Sequence, residues 1–249
     1  MAYDFGFAKI YDKFTDEADA QRRAAYLIAA LHKFGIEGGI VLDLACGTGR
    51  MSETLIRSGY DVISTDVAPE MLFEAMQRLR PYGERALVLQ QDMRELDLFG
   101  TINACICCMD SINHLLTEDD IQRVFDKVSL FAEPGGVFIF DVNTVYKHRC
   151  VLANNTFVYE DETDFLVWQN EYDPSDDTVL MLLDIFSSVN NDENTYIRQC
   201  DEIRERAYAL SDIEKMLRNS GFSKICCFDD LSFSKPSENA ERVYFAAVK

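Results

Sequence analysis

The run Val41-Leu-Asp-Leu-Ala-Cys-Gly-Thr-Gly49 carries the strongest chemical signal in the chain. An apolar stretch ends in an acid, Asp43, and glycines follow at positions 47 and 49 ahead of a helical pattern. Glycines there let a backbone turn approach a ligand at the carboxyl edge of a sheet, in the crevice opened where strand order reverses. Dinucleotides are one ligand class held this way, and a nicotinamide-dependent oxidoreductase would follow from it. The dinucleotide pattern GxGxxG, however, needs a third Gly or Ala at position 52, where this chain has Ser52. Asp43 would also face a pyrophosphate with negative charge. A cationic nucleoside without phosphates suits that acid better.

Two further acids stand where apolar runs end. Asp66 lies in Ser64-Thr-Asp-Val-Ala-Pro-Glu-Met71, and Asp92-Met93 follows the run Ala86 to Gln90. A carboxylate accepts two hydroxyl hydrogens at once, which suits a ribose edge. Asp66 could instead cap the helix that Pro69 opens, and Asp92 could be a turn residue. A fourth apolar run ends in Cys108-Met-Asp-Ser-Ile-Asn-His-Leu115, at the same edge of the sheet.

Taken in order over roughly residues 40 to 145, these segments resemble the class I S-adenosylmethionine-dependent methyltransferases. Asp43 to Gly49 is similar to that superfamily's D/E-x-x-x-G-x-G motif. The resemblance implies S-adenosyl-L-methionine as cofactor. Asp43, Ala45, Gly47 and Gly49 would then form the turn at its amino acid part, Asp66 would take the ribose hydroxyls, and Asp92 with Met93 would meet the adenine. Val67, Met71 and Met109 complete the implied cofactor set. The Asn/Asp-Pro-Pro-aromatic motif of DNA and protein-amide methyltransferases is absent. The segment Asp110 to Leu115 instead resembles small-molecule methyltransferases, sugar-amine N-methyltransferases among them, in which the His lies near the acceptor. His114 is therefore the first candidate to orient or deprotonate the nucleophile and Asp110 the second, with a capping or core role for His114 as the alternative. That subgroup also carries a Tyr-rich N-terminal segment folded over the cofactor, which Phe7-Ala-Lys-Ile-Tyr-Asp-Lys-Phe14 resembles. Tyr11 joins the catalytic candidates on this ground and Tyr3 the substrate-binding ones. Trp168 and Tyr172 are candidates to line the acceptor pocket, although strand alternation could equally bury them in a sheet core.

The elements that must position these residues follow an α/β rhythm. A helix is expected over Thr15 to Phe34, then strands over 39–44, 60–65, 86–90, 102–109 and 136–141, with helices over 51–58, 69–79 and 117–131 between them. Short apolar strands joined by helices of that length predict a parallel, doubly wound sheet covered on both faces. At about Tyr146 the rhythm breaks. Alternating runs at 156–160, 165–172, 179–188 and 195–206, separated by Asp- and Asn-rich turns, predict an inserted antiparallel sheet. A helix opened by a Ser211-Asp-Ile-Glu214 capping box and two last strands, 224–228 and 243–248, resume the α/β pattern. The fold expected is a Rossmann-like seven-stranded sheet. Residues 1–145 and 207–249 would form the cofactor-binding core, and 146–206 an antiparallel β lid that binds substrate.

The 249 residues carry 43 Asp and Glu against 24 Lys and Arg, a net charge of −19. Such a field repels nucleic acid and anionic membrane surfaces, and no basic cluster offsets it. Neither a secretory leader nor a membrane span stands out, so the cytoplasm is the expected location. Cys105 and Cys108 have CxxC spacing, but no second such pair accompanies them, so the eight Cys read mostly as reduced, buried small hydrophobes, with metal or redox chemistry as the alternative, and no metal is expected. Between Val151 and Arg206 fourteen acids face three arginines, so −11 of the charge sits in the insert. The function expected is methyl transfer to N or O of a small molecule, with a cationic amine suited to the acidic insert. A cofactor-binding sensor without turnover is the remaining alternative, and nothing in the pattern speaks to oligomeric state.

Overall fold

The computed structural model describes residues 12–13, 17–161, 163–189 and 192–249. Helix α1 (Glu17–Lys33) leads into β1 (Ile40–Leu44), α2 (Arg50–Arg57), β2 (Asp61–Asp66), α3 (Pro69–Leu79), β3 (Ala86–Gln90), β4 (Ile102–Cys107), α4 (Glu118–Phe131) and β5 (Ala132–Asn143). After the insert come α5 (Leu210–Asn219), β10 (Lys224–Asp229) and β11 (Arg242–Val248). The seven strands outside the insert lie in the order β10-β11-β5-β4-β1-β2-β3. Strand order reverses between β1 and β4, so the carboxyl ends of β1, β2 and β4 open into one crevice.

The five strands β1 to β5 pair in parallel, as expected of strands joined by helices, and the last strand makes the sheet mixed. Strand β11 runs antiparallel to both β5 and β10. Residues 230–241 join β10 to β11 without a helix, and a return that lacks a crossover can only pair antiparallel. The core lies in two layers, as continuous apolar strands require. Leu42, Leu44, Phe138 and Phe140 pack against Val124, Phe125 and Leu217 on one face. Val41, Val62, Ile106 and Ile139 pack against Leu27, Leu31, Leu55 and Ile56 on the other.

The insert forms a separate four-stranded antiparallel meander of β6 (Thr156–Glu160), β7 (Asp164–Asp173), β8 (Thr178–Val189) and β9 (Asp192–Arg206). In β8 every second residue from Val179 to Ile185 is buried, the signature of a sheet with one covered face. That face meets Leu152 and, from the start of α3, Ala68 and Met71. The first residues of the insert form no strand; a π-helical turn over Lys147–Leu152 carries the chain across from β5.

Thr117 caps α4 as expected, its hydroxyl accepting the Asp120 amide at 3.2 Å. Ser211 does not cap α5. That helix begins two residues earlier than such a cap would set it, at Leu210 after Ala209, so Ser211 lies inside its first turn. All eight cysteines are free; Cys105, Cys107 and Cys108 are buried, while Cys150 and Cys200 are exposed. Among the described residues no helix is long and apolar enough to cross a membrane.

Gly49 precedes α2 with φ +76°, and a Cβ there would lie 3.1 Å from the Cβ of Ala75 and 3.2 Å from its Cα. Its task is to let α2 approach α3. We expect Gly49→Ala to cost about 2–4 kcal/mol from left-handed strain and overpacking together, read as a lower midpoint in urea. Ala75→Gly in the same chain should return part of that loss.

Candidate active site

A cavity of about 320 Å³ opens at the carboxyl edge of the main sheet. The turn after β1 is built from left-handed residues, with φ +58° at Ala45 and +55° at Gly47. A Cβ on Gly47 would meet nothing within 4 Å. Here the glycine keeps space open on the cavity side, unlike Gly49, which does not line the cavity.

Asp66, at the end of β2, accepts the Gly47 amide on Oδ2 at 2.9 Å and the Ala68 amide on Oδ1 at 2.9 Å. Asp43 is buried and accepts the Ser52 hydroxyl. Burial pushes its carboxyl up to about 6; the Ser52 bond opposes this and the nearby charge of Asp66 adds to it. Burial also raises Asp66, against the pull of its amide hydrogen bonds. Asp92 behaves in the opposite way. Arg94 grips both its oxygens, with Nε at 2.9 and 3.1 Å, and the bond holds the carboxyl below its usual range.

The structure brings most of the expected residues to one place. Asp43, Ala45 and Gly47 line the cavity, as do Asp66, Val67 and Met71, then Asp92, Met93 and Met109, and also His114. His114 ends a short 3₁₀ turn, Ser111–His114, and its Nδ1 lies 3.4 Å from the carbonyl of Arg204 on β9. Four residues named from sequence are not brought there. Asp110 is turned into an ion pair, its Oδ1 accepting from Arg242 at 2.6 Å. Burial disfavours its charge, but Arg242 and Lys147 outweigh that and hold it well below the carboxylate range, so it is no base at neutral pH. Gly49 serves helix packing. Trp168 packs on Phe157 with ring centroids 5.5 Å apart and donates to Asn170 at 2.6 Å, and Tyr172 donates to Asp177 at 2.6 Å. Both belong to the apolar layer under the second sheet, the arrangement that strand alternation allowed. Tyr3 and Tyr11 lie outside the described residues.

Other lining residues were not named from sequence. Asp12, within the segment expected to fold over the cofactor, accepts the Thr48 hydroxyl at 2.8 Å and pairs with Arg78, a contact 66 positions apart that no local pattern reveals. Arg94 was nearer to view, standing two residues after Asp92, as a short-range partner for an acid at a strand end.

A family model described as "Methyltransferase domain" matches residues 41–136. The chain is 34% identical to YqeM of Bacillus subtilis (strain 168), a methyltransferase by name, over 98% of this chain and 96% of that one. It is also 34% identical to the glycine/sarcosine N-methyltransferase of Halorhodospira halochloris, over 56% of this chain and 52% of that one. Among solved structures, a S-adenosylmethionine-dependent methyltransferase from Clostridium acetobutylicum ATCC 824 superposes with a TM-score of 0.85 at 32% identity, covering 97% of this chain and 95% of that one.

The raised Asp43 makes a prediction about stability. Its folded-state pKa of about 6 exceeds the unfolded value near 3.8, so the folded state holds the proton more tightly. The contribution is fully present below the unfolded value and is lost as pH rises to about 6. Asp43→Asn removes this dependence. Urea unfolding should show the variant gaining on the parent from about pH 4 to about pH 6, by roughly 3 kcal/mol at most. A constant difference across that range would show that Asp43 does not titrate there. Matched along nearly its whole length in both sequence and fold, the chain belongs to the class I S-adenosylmethionine-dependent methyltransferases.

Proposed function

We propose that this methyltransferase acts on the nitrogen of a small amine, with residues 1–145 and 207–249 as the cofactor-binding core and 146–206 as the lid that covers the acceptor. The observation that carries this reading is the position of His114. It stands in the cavity wall and also contacts β9, so the cavity and the second sheet meet at a side chain able to hold an amine. The kinship with a glycine/sarcosine N-methyltransferase supports nitrogen as the acceptor atom. Acidic residues across the insert suit a cation.

The cavity residues fit the cofactor of the family. Gly47 leaves room for the amino acid part beside the turn, and each Asp66 oxygen, already holding one amide, keeps capacity for a hydroxyl hydrogen. Met71, Met93 and Met109 offer polarizable apolar walls. Asp92, gripped by Arg94, would face an adenine amine from the cavity wall. When bound, the cofactor supplies a methyl group already activated by a sulfonium. The chain's own work is then positioning and electrostatics. Asp43 and Asp66 set a negative potential at the turn. His114 aligns the acceptor nitrogen and takes a proton only from an acceptor that arrives charged. Asp110, held by Arg242, fixes the loop instead of acting as a base.

Calorimetric titration with S-adenosylmethionine, followed by release of S-adenosylhomocysteine with glycine, sarcosine, amino sugars and matched hydroxyl compounds, tests the reading. Turnover with amines alone is expected. Turnover with hydroxyl compounds alone would overturn nitrogen as the acceptor, and binding without any turnover would make the chain a sensor. Asp66→Asn should weaken cofactor binding about tenfold by loss of one charged acceptor. His114→Ala should lower kcat by about 10²-fold or more with cofactor affinity unchanged.

A further inference from the structure

Asn143, the last residue of β5, is 2% exposed and has a partner for every polar atom it carries. Its amide donates to Asn113 Oδ1 at 2.9 Å and its carbonyl accepts from Asn113 Nδ2 at 3.1 Å. Its side-chain oxygen accepts from Lys147 Nζ at 2.9 Å. The two side-chain hydrogens go to two different acids, Asp110 Oδ2 at 3.1 Å and Glu205 Oε2 at 2.9 Å. Asp110 belongs to the loop that walls the cavity, and Glu205, also 2% exposed, belongs to β9 of the second sheet.

That loop needs holding. Met109 and Asp110 are consecutive non-glycine residues with φ +60° and +54°. Each such residue costs about 1–2 kcal/mol and persists only where its surroundings enforce it. Both amides donate to one carboxylate, Asp141, at 2.8 and 3.0 Å, forming a small anion nest. Arg242 bridges Asp141 and Asp110 from the other side. This fixes the loop to the main sheet. The Asn143 side chain carries the same acid, Asp110, on to Glu205, and the wall is tied to β9 as well by Asn113 Nδ2, which donates to the Arg206 carbonyl at 2.9 Å. Two carboxylates so placed would repel each other; an amide with a hydrogen for each makes their approach favourable.

We propose that Glu205, acting through Asn143, positions the Met109–His114 wall of the cofactor cavity, so that the second sheet governs the geometry at which cofactor and acceptor meet. Glu205 is a positioning residue, contributed by the insert to a cavity it does not line. The proposal rests on the reading of the cavity as the methyl-transfer site.

The test compares Glu205→Ala, Glu205→Gln and Asn143→Ala in the full chain by amide hydrogen exchange over residues 109–115 and by calorimetric titration with S-adenosylmethionine. Glu205→Ala and Asn143→Ala should speed exchange in that segment about tenfold and weaken the cofactor about three- to tenfold, as loss of a charge-assisted hydrogen bond implies. Glu205→Gln keeps an oxygen facing Asn143 and should restore both to within about twofold. Unchanged exchange over 109–115 in Glu205→Ala would overturn the proposal, as would a Glu205→Gln variant indistinguishable from it. If Asn143→Ala fails to fold, the two Glu205 variants carry the test alone. Neither readout requires an acceptor, so failure of every amine to turn over would overturn the proposed function and leave this result standing.

Discussion

Asp66 accepts the amide of Gly47 through one oxygen and that of Ala68 through the other, and much of the molecule is organised around that pair of bonds. They join the turn after β1 to the start of α3, so two separate segments become one rim of the cavity. The acid is kept in a partly desolvated place near a second acid, Asp43, whose charge it disfavours. Such a site stores negative potential in a low-dielectric surrounding, where a positively charged ligand relieves it. The same helix start supplies Ala68 and Met71 to the apolar layer under the second sheet. The cavity rim and the seat of the insert are therefore one structural unit.

A second unit faces it across the crevice. Arg242, Asp141, Asp110, Asn143, Lys147 and Glu205 form a polar cluster in which three acids are balanced by an arginine and a lysine and stitched by an amide. Burial pushes the Lys147 ammonium down, and the adjacent Arg242 charge does the same. Clusters of this kind contribute little net stability, because desolvation offsets attraction; what they specify is one arrangement out of several. Here the specified arrangement is a left-handed turn that a hydrophobic contact could not enforce.

Much of the fold was legible because each strand and helix announces itself within its own length. The buried run of β1, the alternation in β8 and the hydroxyl of Thr117 before α4 are local facts that the structure keeps. Ser211 failed as a cap because helix onset depends on the preceding backbone as well as on the available side chain. The direction of β11 is not written in its own residues, because it is set by the connection between β10 and β11 and by the gap left beside β5. Gly47 and Gly49 are chemically identical in sequence, yet one opens toward the cavity and the other yields space to Ala75.

The candidate site divides in the same manner. The amino-acid sequence by itself determined the order of the strands' chemistry: a glycine turn and four acids at successive strand ends, which local spacing places on one edge of a sheet. Tertiary structure decided what the more distant pairings made of the acids. Asp92 found its partner, Arg94, two residues away, but Asp110 was claimed by Arg242 at a separation of 132 residues, and Asp43 was buried, which favours its proton. Trp168 and Tyr172 were likewise assigned to a sheet face by the packing of the insert. The physical reason is range: periodicity and capping depend on neighbours within a turn or two, whereas charge state and exposure depend on partners that only folding brings within a few ångströms.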